Sequence, residues 1–254
     1  MAREKSTTIR LLLSLIFPTS GNATVFGKDV VAFGPEIKKE IGYLPSEVFY
    51  YDSMRVREFL EYSARFYQKD CTDRIESISE RLKLDQSAKI EDLSYGNKKK
   101  VGIVQGLLHS PKLIVLDEPT GGLDPLVQQN FFELLREENR RGVTIFFSSH
   151  ILSEVQRLCD RVAIIKDGEV VKIESMSSLK NSHYKRVTLT TLDDTREVDS
   201  RLSGISDLRI EGTVTTFMFT GDINELLKLV LGFAISDLSI DEPTLEEIFL
   251  HYYR

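Results

Sequence analysis

The sequence predicts an α/β protein built on a parallel sheet, followed by a smaller α+β domain. Three observations carry that reading. Two apolar runs, Leu113 to Leu116 in "KLIVLDEP" and Val143 to Phe147 in "GVTIFFSSH", have the texture of strands covered on both faces. Between them "PLVQQNFFELLREENRRG" reads as a crossover helix that ends at Gly142. From about residue 182 onward, short β-like runs alternate with two helical stretches in the order βαββαβ, the split βαβ, ferredoxin-like pattern.

Each element has its own signal. Thr7 to Phe17 reads as a helix with a broad apolar face, stopped by "PTSG". "NATVFGKDV" reads as a short strand, and "IGYL" (Ile41 to Leu44) as a buried strand ended by Pro45. Residues 54–92, with "VREFLEYSARFY" and "TDRIESISERLKL", predict amphipathic helices. "VGIVQGLLH" follows as another helix, and "RVAIIKDGEVV" contains a hairpin signal at Asp167-Gly168. In the last stretch "KRVTLTT", "DLRIEG", "TTFMFTG" and "ISDLSI" read as strands. "REVDSRLSG", "INELLKLVLG" and the closing "TLEEIFLHYY" read as helices. The expected division is a core domain over residues 1–180, with a helical subdomain at about 47–95, and an appended domain over 181–254.

Composition bounds the function. At 254 residues, 41% hydrophobic and 28% charged, the chain has room for one large α/β domain and an appendage. A net charge of −6 gives no bulk attraction to nucleic acid. Cys71 and Cys159 are far apart and lack metal-ligand spacing, so they read as two reduced thiols. The apolar run from Leu11 to Phe17 is broken by Ser14 and ended by Pro18, too short to cross a bilayer, and no signal cleavage site follows it. Service to a membrane would therefore run through a membrane-spanning partner.

Four motifs could carry chemistry. "LIVLDEP" places Asp117 and Glu118 at the carboxyl end of a buried strand, the edge where open α/β sheets bind ligands. Two adjacent carboxylates there can divide labour, one supporting Mg²⁺ and the other polarising a water as general base. His150 in "TIFFSSH" stands just past the next strand; alone, such a histidine is more often structural. "LSYGNKKK" puts Ser94 and Gly96 at a helix start, where hydroxyl, N–H groups and dipole can converge on an anion. The bland alternative is an ordinary N-cap followed by a solvated lysine face. Lys5-Ser6-Thr7, ahead of an apolar helix, has the form of the end of a phosphate-binding loop.

In this order and spacing, "KST", "IGYLPSE", "LSYGN", "LIVLDEPTGGLDP" and "SSH" resemble the ATP-binding cassette of ABC transporters, over residues 5 to about 175. The resemblance implies a P-loop NTPase of RecA-like α/β architecture, with ATP and Mg²⁺ as cofactors. It implies that Lys5 reaches the β/γ-phosphates, with Thr7 beside it, that Ser6 and Asp117 serve the metal, and that Glu118 is the general base with His150 as switch histidine. Leu93, Ser94, Tyr95, Gly96 and Asn97 would form the signature motif contacting the ATP of an opposite subunit, with Asp124 in the D-loop at that interface. The helices of residues 54–92 would dock on a transmembrane permease. The partners implied are that permease and a second cassette, in a homo- or heterodimer at the cytoplasmic face of the membrane, with no nucleic acid. "PTLEEIF" in an appended domain further resembles the ATPase subunits of ABC-2-type exporters.

The departures from the pattern are specific. The signature reads "LSYGN" rather than "LSGGQ", and Ser46, with a shorter reach toward a metal-bound water, stands where the family has a glutamine. The phosphate-loop glycines, the strand before them and an upstream aromatic are absent, and Glu4 brings a carboxylate toward the phosphates. The expectation is thus a cassette truncated within its phosphate loop. The leading function is transport-coupled ATP hydrolysis. The alternatives are a non-catalytic cassette that lends its signature motif to a complete partner, and a soluble ATPase acting on nucleic acid or ribosomes.

Overall fold

The computed structural model describes residues 2–51, 53–180, 184–192, 204–244 and 247–248. The chain forms two compact units, Met1–Ile151 and Leu152–Arg254.

The first unit runs α1 (Ala2–Leu12), β1 (Thr24–Val25), β2 (Lys28–Asp29), α2 (Gly34–Lys38), β3 (Ile41–Leu44), α3 (Val56–Ala64), α4 (Thr72–Arg81), α5 (Tyr95–Leu107), β4 (Leu113–Asp117), α6 (Pro125–Arg140) and β5 (Thr144–Ser148). β3, β4 and β5 form a parallel sheet with β4 in the middle, in register from Ile41 opposite Leu113 to Asp117 opposite Ser148. Strand alternation puts Leu113, Val115 and Asp117 on one face of β4. Ile9 of α1 and Leu13 just beyond it pack on that face with Val30, Ile37, Ile41 and Val115. The opposite face of β3 receives α5, and the approach is close. A Cβ on Gly42 would lie 2.0 Å from the Gly106 carbonyl oxygen.

α3 and α4 have amphipathic spacing, with Val56, Phe59 and Leu60, then Ile75 and Ile78, turned inward. They pack on α5. Arg81 of α4 makes a forked pair with Glu137 of α6, at 2.6 and 2.8 Å, while Arg74 reaches the buried Glu138 at 2.6 Å. These bonds fix the helical layer to the helix that leads into β5.

The second unit contains α7 (Leu152–Leu158), the antiparallel pair β6 (Arg161–Lys166) and β7 (Glu169–Ser175), α8 (Met176–Lys180), and β8 (Tyr184–Thr191), β9 (Ile205–Glu211), β10 (Val214–Thr220), α9 (Ile223–Val230) and β11 (Ile235–Asp241). Asp167 and Gly168 both have positive φ, at 52° and 82°, as the two-residue turn joining β6 to β7 requires. The four later strands form an antiparallel sheet ordered β11-β8-β10-β9, the strand order of a split βαβ unit. Its core is Val187, Leu189, Phe217 and Phe219 against Leu226 and Val230 of α9.

Three expectations need correction and two fall outside this description. The first helix spans Ala2–Leu12 rather than Thr7 to Phe17, because Ser14 takes a left-handed backbone (φ 50°) and the chain leaves the helix there. "NATVFGKDV" is a two-strand hairpin turned at Phe26-Gly27, not one strand. β5 is not covered on both faces: it is an outer strand of the described sheet, α1 lies over β3 and β4, and Phe146 stays 40% exposed. The helix expected in "REVDSRLSG" and most of the closing helix lie outside the described residues.

Candidate functional site

Three chain segments deliver the site: the first turns of α1, the carboxyl end of β4, and the carboxyl end of β5 with the residues after it. Asp117 is the last residue of β4 and is 2% exposed. A carboxylate so buried needs donors, and two hydroxyls supply them. Ser6 Oγ donates to one oxygen at 2.7 Å and Ser148 Oγ to the other at 2.6 Å. Lys5 Nζ donates to the Ser149 carbonyl at 2.8 Å, tying α1 to the end of β5.

Glu118 follows with φ of 50°, a left-handed backbone that is uncommon for a non-glycine residue. Its N–H donates to the Ser148 carbonyl at 3.0 Å, which holds the turn. Its carboxylate accepts from His150 Nδ1 at 2.5 Å; a carboxylate only accepts, so Nδ1 carries the proton of that pair. The imidazole is otherwise open, 75% exposed.

A second group forms around the start of α5. Ser94 is the N-cap, its Oγ accepting from the Asn97 N–H at 3.3 Å, and Leu93 precedes it in an extended conformation. Tyr95 Oη donates to the Ser46 carbonyl at 3.3 Å, and its ring lies against Gly122, where a Cβ would be 2.3 Å from it. Gly96 meets the Gly122 carbonyl oxygen, at 2.5 Å from where its own Cβ would be. Asp124 is the N-cap of α6, accepting from the Val127 N–H at 2.9 Å. The structure thus brings Lys5, Ser6, Asp117, Glu118 and His150 into one cluster, and Ser46, Ser94 to Asn97 and Gly122 into another; Thr7 sits exposed on α1.

Two side chains that hold these clusters were not singled out from the sequence. Ser148 shares a ladder position with Asp117, and its signal was the first of two serines at the end of an apolar run. Lys99 belongs to the lysine run expected to be a solvated face. That expectation is wrong for Lys99 and Lys100, which are 0% and 9% exposed, because α5 turns them toward the packed side of the helix. Lys99 Nζ donates to the Pro45 and Ser46 carbonyls, each at 2.8 Å. Burial lowers its pKa to about 8, with Asp117 and Glu118 opposing that shift.

The donor chemistry fits a hard divalent cation. Ser6 Oγ and Asp117 Oδ2 stand 2.7 Å apart, close to the edge of an octahedron of oxygens about 2.1 Å from Mg²⁺. Among the described residues no group of three or more His, Cys, Asp or Glu could cage a metal alone, so phosphate oxygens and water would complete the shell. The fit to a phosphate loop is poorer. With α1 beginning at Ala2, the Ser6 N–H points along the helix to the Ala2 carbonyl rather than outward, and Glu4 lies in the first turn.

A parallel sheet with a carboxylate pair at its edge, and a capped helix start linked to the "GGLD" turn, define an ATPase cassette. Residues 5–121 match the family described as ABC transporter. The chain is 32% identical to the bacitracin transport ATP-binding protein BcrA of Bacillus licheniformis, over 97% of this chain and 83% of that protein. It is 30% identical to the linearmycin resistance ATP-binding protein LnrL of Bacillus subtilis, over 97% of this chain and 85% of that protein. A solved structure of an ATP-binding subunit of an ABC transporter superposes with a TM-score of 0.66 at 28% identity, over 69% of this chain and 75% of that one. The chain belongs to the ATP-binding subunits of ABC transporters, a family of ATPases. No described helix is long and apolar enough to cross a membrane.

Proposed function

We propose that the chain is the energy-coupling subunit of an exporter, working as one of two cassettes that enclose ATP at the cytoplasmic face of a membrane. The observation that supports this best is the division of labour between Asp117, buried between two hydroxyls, and Glu118, turned out to His150. In this reading Lys5 and Thr7 meet the phosphates, and Ser6 with Asp117 would hold Mg²⁺, which would supply positive charge against the phosphates. Glu118 orients and deprotonates the attacking water, and His150 keeps that carboxylate in place. Ser46, held against Tyr95 rather than among these carboxylates, would reach the site only through a water, Leu93 to Asn97 meet the nucleotide of the opposite cassette, and Asp124 stands at the interface between the two.

The permease partner fits an aromatic cavity of about 560 Å³ beside α3, lined by Phe49, Tyr50, Tyr51, Tyr62 and Phe66. Phe49 is 87% exposed there, an apolar surface suited to a protein partner. Export is supported by the two relatives, one a bacitracin transport protein and one a linearmycin resistance protein, and by the "PTLEEIF" tail. The appended domain over 181–254 is supported by the closed core of the β8–β11 sheet.

Titration of the purified chain with Mg·ATP tests the reading. Turnover is expected, and Glu118→Gln lowers it by about a hundredfold or more while leaving nucleotide affinity within a few-fold. Turnover indifferent to Glu118→Gln refutes the assignment of the base. One observation favours a second reading, a non-catalytic cassette that lends its signature motif: α1 is helical from Ala2, where phosphate would need free N–H groups. In that case the chain alone shows no turnover, and mixing it with a complete cassette raises that partner's turnover.

A further inference from the structure

The turn after β3 is held by α5 in a way that motif reading does not anticipate. Lys99 Nζ meets two successive carbonyl oxygens, those of Pro45 and Ser46, at 2.8 Å each. Tyr95, one helical turn earlier, reaches the Ser46 carbonyl with its hydroxyl. The residues that follow are tied to the same helix, since Tyr50 Oη donates to the Lys98 carbonyl at 3.0 Å. Three side-chain anchors therefore join residues 45–50 to the first two turns of α5, and Tyr95 adds contact with Gly122.

The charge on Lys99 is unusual for a structural tie. Its ammonium is wholly buried, and both of its acceptors are neutral carbonyl oxygens. A buried cation held by carbonyls sustains a large desolvation cost, and an apolar chain of the same length would avoid it. What the ammonium gives in return is geometry: two strong, charge-assisted bonds that fix both peptide units of the turn. The Asp117 and Glu118 carboxylates favour its charged form through space.

Building on the cassette reading, we infer that Lys99, with Tyr95, is a positioning residue that locks the Ser46 turn to α5. The signature-bearing helix and the exit of β3 then move as one piece when nucleotide binds and leaves. Ser46 has a short side chain, so its hold on a site water depends on where its backbone is placed; the lock places it. The "LSYGN" tyrosine and the second lysine of "KKK" thus act on the same turn that carries Ser46.

The test uses the full chain and two substitutions, Lys99→Met, which keeps length and removes charge, and Tyr95→Phe, which removes one hydroxyl. Hydrogen exchange of the amides of residues 46–51, without nucleotide, is expected to quicken roughly tenfold in Lys99→Met and less in Tyr95→Phe, while the α6 amides hold their rates. Turnover, alone or as stimulation of a complete cassette, is expected to fall about tenfold in kcat with KM within twofold, and Lys99→Arg to restore most of it. Unchanged exchange in both variants overturns the lock. Faster exchange with unaltered kcat shows Lys99 to be structural only and overturns the positioning role. If neither assay shows turnover for any protein, the ATPase reading has failed, and the exchange result still decides the lock.

Discussion

His109 makes acid sensitivity a calculable property of the first unit. It follows α5, is 2% exposed, and stacks on Tyr67 with ring centroids 3.7 Å apart and planes at 7°. Neither ring nitrogen has a hydrogen-bond partner of normal geometry. Burial pulls its pKa down from 6.5 to about 4; the Ile41 backbone and Glu40 favour the charged form weakly, and Lys69 opposes it. The native state therefore binds fewer protons than the unfolded chain between those two values, and stability falls as pH falls from about 6.5 toward 4. A shift of this size is worth about 3 kcal/mol at its limit, of which about 2 kcal/mol is already lost at pH ~5. His109→Phe keeps the stack on Tyr67 and removes the titration. Urea unfolding read by pulsed hydrogen exchange of the α5 amides, at pH ~7.5 and ~5, isolates the unit that holds His109. The parent is expected to lose about 2 kcal/mol more than the variant on acidification. Equal losses, within about 0.5 kcal/mol, would refute the argument that burial governs this imidazole.

Two further outcomes follow from local geometry. Asp124→Ala removes the cap bond to Val127 and is expected to cost about 1 kcal/mol in the unfolding of the first unit, whereas Asp124→Asn keeps an acceptor and most of that stability. Gly122→Ala places a Cβ at φ 79° and against the Tyr95 ring, and is expected to cost about 2 kcal/mol. In a Tyr95→Ala background the steric part disappears, so a double-mutant cycle in thermal unfolding should show coupling near 1 kcal/mol; additive losses would mean that ring and glycine do not meet.

The sheet, its crossover helix and the carboxylate edge were legible because each rests on a local pattern. Leu113 to Leu116 is too apolar to be anything but interior, and Asp117 ends it. Asp167-Gly168 announces a turn that only positive φ allows. What stayed hidden depends on neighbours far along the chain. No local pattern reveals that Lys99 points inward, because the carbonyls that accept from it are 53 and 54 residues away. Ser148 gains meaning only from lying opposite Asp117. Phe146 was expected to be buried because the periodicity of an apolar run reports strand character, not how many neighbours that strand has.

The adjacency of Asp117 and Glu118 looks at first like redundancy, and strand geometry shows why it is not. On a continuing strand, consecutive side chains point to opposite faces, so Glu118 would face the α5 side and be buried away from Ser6. The left-handed backbone at Glu118 breaks that alternation. It costs about 1 kcal/mol in a residue with a Cβ, and the bond from its N–H to the Ser148 carbonyl helps to offset it. Asp117 stays fixed by Ser6 and Ser148, while Glu118 is freed to meet His150 at the rim. One carboxylate is immobilised where a cation would need preorganised oxygen. The other is left part-exposed where a water could reach it, and a one-residue change in backbone hand separates the two roles.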